Sequence, residues 1–550
     1  MKGPAVPAGR LTPAIWPEGR LAPSLDAACR RWGDRAAVTF AGLRGPNALA
    51  AHDLSYSELG RGVARLAAAY RRLGIAPGDR IVCQLPNGPE HLMAINAAWA
   101  VGAIHVGTDN DLTGRELAWL AERTGAAALL FSPHPGSADP QEAVRAVRQA
   151  SPSIRLILTG DGLTRGGRDL QLADLLDGPD QLDDWSPPHG PDDTAHLLLT
   201  SGTTGVPKAV METLPACWAK MQFFADAFRP GPDDVHLLYL PVAHVFGLRL
   251  AMMALLSGGR LVLTERFSPK GALRLVTDER VTVLPGMPAH FTLLLEALDP
   301  GQHRVDSLRW AISAASSLPR PLVEAIYDRL QVELLYVYGC SENFTVQTTD
   351  RDEILRGSVG RQVFRGPEGS PPDGTVAILE PGTADAVPPG ATGEIAFGAA
   401  RPVRYWSDPD AATDGWYRTG DLGRIDPAGS VYVLGRLKEL VNRGGLHVSP
   451  SEVETAVRLH PDVADSAVVA TPDPVLGEAI CACVVPGDAG PPGLADLRGF
   501  LAPVLARHKL PDELCLVEAI PRTRIGKVDR PTLRTEVLAD GRPRERWRPR

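Results

Sequence analysis

The residues from Leu197 to Val210 read LLLTSGTTGVPKAV. Three leucines of strand-forming type run into a loop of hydroxyls and glycines that closes on Val206-Pro207-Lys208. Gly202 and Gly205 let the backbone turn freely and come close to a ligand. Consecutive N–H groups in such a loop make an anion-binding concavity. Thr200, Ser201, Thr203 and Thr204 add hydroxyl donors to it, and Lys208 adds a point charge. The chemistry this suits is the holding of a polyphosphate. The spacing is not that of a Walker loop, because G-x-x-x-x-G-K-[ST] is absent. A bare G-T-T-G would read as a surface turn, but the whole T-S-G-T-T-G-x-P-K string is far longer than chance supplies. A second stretch, Leu334 to Asn343, reads LLYVYGCSEN. Tyr338 before Gly339 is an aromatic able to stack on a base. Ser341 is placed to bond a phosphate oxygen, and Glu342 offers a hard carboxylate oxygen to Mg²⁺.

These groups need rigid elements behind them. At 550 residues the chain is too long for one core and should divide into two or more domains. Its 44% hydrophobic and 22% charged content is that of a globular protein. The net charge of −8 gives a nucleic-acid partner no electrostatic support. No segment is long enough to span a bilayer and no apolar leader opens the chain, so a cytoplasmic location is expected. Seven cysteines are scattered singly apart from Cys481 and Cys483, whose spacing puts them on one face of a core strand. From Leu25 to about Phe131 helical and strand patterns alternate: a helix opening at Asp53 to Leu59 and running through Val63, Leu66 and Tyr70, a strand at Arg80–Cys83, a helix from Pro89 through Ala100, and a strand at Ala103–Val106. A further helix and the strand Ala128–Phe131 complete the series. This rhythm predicts parallel α/β layers. Ser132 to Asp193 is rich in Asp, Gly and Pro with one clear strand at Ile154–Leu158, and reads as a surface connector. The arginine-rich end, GRPRERWRPR, reads as a solvated tail.

The string TSGTTGVPK resembles the phosphate-loop signature of the AMP-forming acyl/aryl-CoA synthetase and adenylation superfamily. Other stretches follow in that family's order from about Ser24 to Arg534. They are LPVAHVFG at 240–247, LRWAISAASSL at 308–318, YGCSE at 338–342, GSVGR at 357–361, WYRTGD at 416–421, GRLKE at 435–439, NRGG at 442–445 and PRTRIGK at 521–527. The resemblance implies an α/β fold: a large N-terminal adenylation domain of layered sheets and helices over 1–434, and a small mobile C-terminal α+β lid over 435–550 with its hinge at Lys438. It implies a nucleotide site built from residues 200–205, Lys208, Tyr338, Gly339, Ser341, Asp421, Arg436 and Lys527. Asp421 suits a ribose, since a carboxylate's two acceptors match a vicinal diol. Acyl-pocket residues would be His244, Val245, Ser313, Ala314, Ala315 and Gly339; Gly444 and Gly445 would line the thiol tunnel; Glu342 would hold the metal; Lys527, Glu342 and Lys208 would do the catalytic work.

The departures narrow the substrate. No F-D-x-S aspartate is present to hold an α-amine, and Val245 stands where many 2,3-dihydroxybenzoate and salicylate activators carry Asn. Ala314 and Ser316-Ser317 replace a usual Gly and Ala-Pro. Gly107-Thr108 stand where Pro-Leu is common, and Arg404 replaces a Gly. An α-amino acid or an ortho-hydroxybenzoate is therefore disfavoured; NRGG with HKLPD (508–512) leans toward the aryl-acid branch. The implied reaction is ATP-dependent conversion of a carboxylic acid to an acyl adenylate, with Mg²⁺, followed by transfer to the thiol of coenzyme A. Transfer to a carrier-protein phosphopantetheine is the close alternative. A P-loop kinase fails on its missing motif, and a non-catalytic nucleotide-binding regulator is opposed by Lys527, Glu342 and Asp421 together.

Overall fold

The computed structural model describes residues 21–41, 53–110, 112–132, 140–158, 170–178, 185–200, 208–314, 316, 318–342, 344–362, 375–398, 403–406, 416–444, 446–487, 490–523, 527–539 and 543–547. Helix starts follow local chemistry. Ser55 Oγ accepts from Glu58 N at 3.2 Å while the Glu58 carboxylate accepts from Ser55 N at 2.8 Å, a capping box that opens helix Tyr56–Arg72. Thr113 and Glu116 do the same for Gly114–Thr124. Asp53–Ser55, expected as the start of the first of these helices, is a short strand instead, paired antiparallel to Ala36–Phe40.

Strands Arg80–Gln84, Ile104–Gly107, Ala128–Phe131 and Arg155–Leu158 form the parallel centre of one sheet. Thr194–Thr200 joins it in parallel, and Lys208–Thr213 returns antiparallel beside Thr194–Thr200. In a second, larger sheet Trp310–Ser313 lies between Val283–Gly286 and Glu333–Gly339. Val235–Leu238 and Arg260–Leu263 continue it in parallel, and antiparallel strands up to Ser430–Arg436 extend the other side. Helices Pro89–Ala100 and Val245–Leu256 are buried on nearly every face, as elements enclosed within a layered molecule must be. They pack on strands of the first and second sheet respectively, within one continuous core.

Between Arg436 and Val441 the chain leaves the large sheet and begins a third one, Val441–Arg443, Leu446–Val448, Val463–Asp473, Gly477–Pro486 and Glu513–Leu516. Gly435 sits just before this crossing with φ +150°, a backbone that L side chains rarely adopt, and a Cβ there would collide with Ser449 Oγ. Cys481 and Cys483 are free, fully buried and on one face of Gly477–Pro486, as their spacing predicts.

Two connector expectations are corrected. The stretch after Ser132 contains helix Pro140–Ala150, whose Ala143, Val144 and Val147 are buried at helical spacing. The basic tail is not simply solvated: Glu545–Arg546 pairs with Glu513–Leu516, and Trp547 stacks with Arg498 at 4.3 Å. The physical reason is Glu513, 1% exposed, which accepts from Arg544 at 2.9 Å and is also paired with Arg546. No helix among the described residues is long and apolar enough to cross a membrane.

Candidate active site

Thr200, Ser313 and Gly339 end strands that run parallel to a neighbour, the edge at which open α/β sheets bind ligands, whereas Asp421 and Arg436 lie on antiparallel strands. Thr200 ends Thr194–Thr200 and Lys208 begins the return strand. Ser201, Gly202, Thr203, Thr204 and Gly205, with Ala315 and Gly445, lie outside the described residues. Gly339 ends Glu333–Gly339, and half-buried Ser341 and Glu342 follow it.

Asp421, 7% exposed, is where several of the predicted nucleotide residues meet. Tyr338 Oη donates to its Oδ2 at 2.6 Å, and Arg436 Nε pairs with its Oδ1 at 2.7 Å. Both carboxylate oxygens thus have a donor. Burial pushes the Asp421 pKa up and the Arg436 charge opposes this. Tyr338 is raised as well, by burial and by the carboxylate it touches. Lys527 comes to the same place from the small third sheet's side of the chain. Its loop is closed by Thr523 N donating to Lys527 O at 2.7 Å and Lys527 N to Thr523 Oγ1 at 3.2 Å. Burial and then the neighbouring Arg436 lower its pKa, with Asp421 and Glu439 pulling it back. Glu439 is itself paired to Arg530 at 3.0 Å, just past Lys438 in the short helix Leu437–Glu439.

A residue that sequence reasoning missed links two of the predicted site residues. Arg404–Tyr405 pairs antiparallel with Lys208–Thr213. Tyr405 Oη donates to Glu342 Oε1 at 3.1 Å, and Lys208 Nζ lies 5.0 Å from the Tyr405 ring centroid. Tyr405 therefore touches both the phosphate-loop lysine and the acidic residue. Arg404 is ordinary strand here and lacks the positive φ that a glycine would permit. Glu342 is half-buried with one oxygen fixed by a neutral hydroxyl, which suits a hard carboxylate ligand for Mg²⁺.

On the acyl side, His244 precedes helix Val245–Leu256, and its Nε2 pairs with Asp109 Oδ1 at 2.7 Å. The unusual Gly107 is accounted for here. A Cβ at 107 would meet Ala243 O at 2.8 Å, so the small residue admits the loop that carries His244. Val245 is half-buried, Ser313 and Ala314 are buried, and Ser316 is exposed. Gly444, with φ +60°, donates its N–H to Leu476 O at 2.7 Å. The NRGG and HKLPD stretches meet, since Arg443 grips Asp512 through two bonds of 2.8 and 2.7 Å.

Residues 25–402 match the family model described as AMP-binding enzyme, and 452–527 match AMP-binding enzyme C-terminal domain. The chain is 33% identical over 505 residues to a 2-hydroxy-7-methoxy-5-methyl-1-naphthoate–CoA ligase of Streptomyces carzinostaticus, covering 88% of each. It is 32% identical over 532 residues to a salicyl-AMP ligase / salicyl-S-ArCP synthetase of Mycobacterium tuberculosis, covering 94% of this chain and 90% of that one. Among solved structures, ATP-bound MatB from Rhodopseudomonas palustris superposes with a TM-score of 0.80 at 27% identity, covering 94% of this chain and 99% of that chain.

Proposed function

The chain belongs to the AMP-binding enzyme family, and we propose that it joins an aromatic, cyclic or short to medium acyl acid to coenzyme A. It is an ATP-dependent, AMP-forming acid–thiol ligase. The observation that supports the adenylating step is the meeting of Tyr338, Asp421 and Arg436 with Lys527, which arrives from beyond the crossing at 436–441.

A carboxylate is a poor acyl electrophile. Attack of its oxygen on the α-phosphate of ATP forms an acyl adenylate and expels pyrophosphate. A thiol then attacks the activated carbonyl and AMP leaves. The first transfer is mostly positioning and charge stabilisation. Asp421 takes the ribose by exchanging a Tyr338 or Arg436 donor for a hydroxyl. Lys527 offsets negative charge as carboxylate and α-phosphate approach. Lys208 holds the leaving phosphates with the loop before it. Glu342 would hold Mg²⁺, which when bound neutralises phosphate charge. His244, held by Asp109, borders the acyl group with Val245, Ser313, Ala314, Ala315 and Gly339. Gly444 and Gly445 lie on the thiol route, and rotation about Lys438 exchanges that route with Lys527 at the site, a lid-type step. In this reading the adenylation domain spans 1–434 and the lid 435–550.

Carrier-protein transfer is the second reading, because the salicyl-S-ArCP synthetase similarity spans the chain and both thiols share the same pantetheine arm. The test is pyrophosphate release from MgATP across benzoic, cinnamic, alicyclic and linear acids, with and without coenzyme A, beside Lys527→Ala. Acid-dependent release that the variant loses, with coenzyme A consumed, is the expected result. Release without coenzyme A consumption selects a carrier protein. Tight ATP binding with no turnover overturns the enzyme reading. Salicylate belongs in the panel: preferred turnover of it would overturn the argument from Val245.

A further inference from the structure

Strand Lys208–Thr213 continues from the phosphate loop and carries Glu212 inward, where it is 3% exposed. Glu212 Oε1 accepts from Arg249 at 2.6 Å and from Lys220 Nζ at 3.0 Å. Burial alone would raise the Glu212 pKa; the Arg249 and Lys220 charges outweigh it and bring it down to about 2. Lys220 stands on helix Leu214–Phe228, directly after the return strand, and its side chain is only 16% exposed. Its ammonium makes a second bond, to the main-chain carbonyl of Glu342 at 3.0 Å. That carbonyl belongs to the other sheet's loop, after Glu333–Gly339. The same helix is fastened again three residues on, where Nε2 of Gln347, five residues after Glu342, donates to Phe223 O at 2.7 Å. The segment from Glu342 to Gln347 is thus braced at both ends on the helix that follows the phosphate loop.

A buried ammonium persists only with partners that satisfy its charge and donors. Here one partner is a fixed carboxylate and the other is the backbone of the very residue whose side chain faces Tyr405. We propose that Lys220 is a positioning residue for the metal-phosphate corner. Through Glu342 O it sets the backbone of Glu342, with Glu212, itself held by Arg249, anchoring the ammonium. The proposal rests on Glu342 being the metal ligand. It predicts that metal affinity depends on a lysine that touches neither metal nor nucleotide, as supporting contacts behind a metal ligand do.

The experiment titrates Mn²⁺ against the whole chain with stoichiometric ATP and no acid, reading free Mn²⁺ by electron paramagnetic resonance and subtracting the binding of ATP alone. Wild type, Lys220→Met, Lys220→Gln, Lys220→Arg and Glu342→Gln are compared. AMP binding in EDTA reports the nucleotide site without metal. Lys220→Met is expected to weaken Mn²⁺ about tenfold while AMP affinity stays within about twofold, and Lys220→Arg to recover most of the loss. Lys220→Gln gives the same reading if the methionine variant does not fold. Weakening by Glu342→Gln but not by Lys220→Met or Lys220→Gln overturns the proposal and leaves Glu342 as ligand. No effect of Glu342→Gln removes the metal reading itself. Parallel loss of AMP and Mn²⁺ binding in the Lys220 variants makes the lysine merely structural and also overturns the proposal.

Discussion

Lys527 is a charge held partly away from water, beside the like charge of Arg436 and the opposite charge of Asp421. An ammonium in such a place acts on a nearby phosphate through a lower dielectric than a surface lysine would. Lys527→Ala is therefore expected to cut acid-dependent pyrophosphate release about 10²–10³-fold with the melting temperature preserved; more than a tenth of wild-type rate would remove Lys527 from the first step. Tyr405→Phe deletes the hydroxyl on Glu342 and leaves the ring under Lys208. A rise of about threefold in KM for MgATP follows from one lost hydrogen bond, with KM for the acid unchanged. A rise in the acid's KM instead would move Tyr405 to the acyl pocket. Tyr338, Asp421, Arg436 and Lys527 were legible because each sits in a motif whose spacing is local. Tyr405, Asp109 and Lys220 were not, since their partners lie 63, 135 and 122 residues away and nothing local marks the pairing.

Among elements, the strands and helices that place the site could be read from periodicity, because burial imposes it: Val63, Leu66 and Tyr70 are all fully buried at helical spacing. The basic tail could not, since its partner is the buried Glu513, itself part of a distant strand. Thr471 Oγ1 also donates to Glu513, at 2.9 Å, but among the described residues only the two arginines are paired with its charge. Removing both, as Arg544→Met with Arg546→Met, leaves a buried carboxylate unpaired. The expected cost is about 2–3 kcal/mol, discounted because both arginines retain contact with water. Chemical denaturation of the double variant measures it. A change under about 0.5 kcal/mol would mean that the tail does not stabilise the sheet. Helix Pro140–Ala150 shows the other limit: its buried positions are helical in spacing, but the surrounding Asp, Gly and Pro obscured them.

At the scale of the whole molecule, the core encloses imidazoles that the chemistry does not use. His91, His105 and His196 lie in a row, with ring centroids 5.7 and 4.7 Å apart. Burial is the largest cause of their lowered pKa values, to about 4 for His91 and His196 and well below the usual value for His105. Each is neutral when folded and titrates near 6.5 when unfolded. Between pH 6.5 and 4 the unfolded chain therefore binds more protons, and stability must fall as pH falls. Each fully shifted histidine contributes a slope of up to about 1.4 kcal/mol per pH unit, so three outweigh any single surface pair. Glu212 acts in a different window: its depressed pKa of about 2 adds stability that is complete above pH 4.5 and is lost only below it. Melting temperature is thus expected to drop steeply from pH 6.5 to 4, before the Glu212 network begins to protonate. His105→Phe removes one of the three sites, so its curve should be shallower through that window whatever its melting temperature at pH 7.5. A variant curve parallel to wild type there would mean that His105 is already charged in the folded protein, and that the row is paired in a way burial alone does not allow.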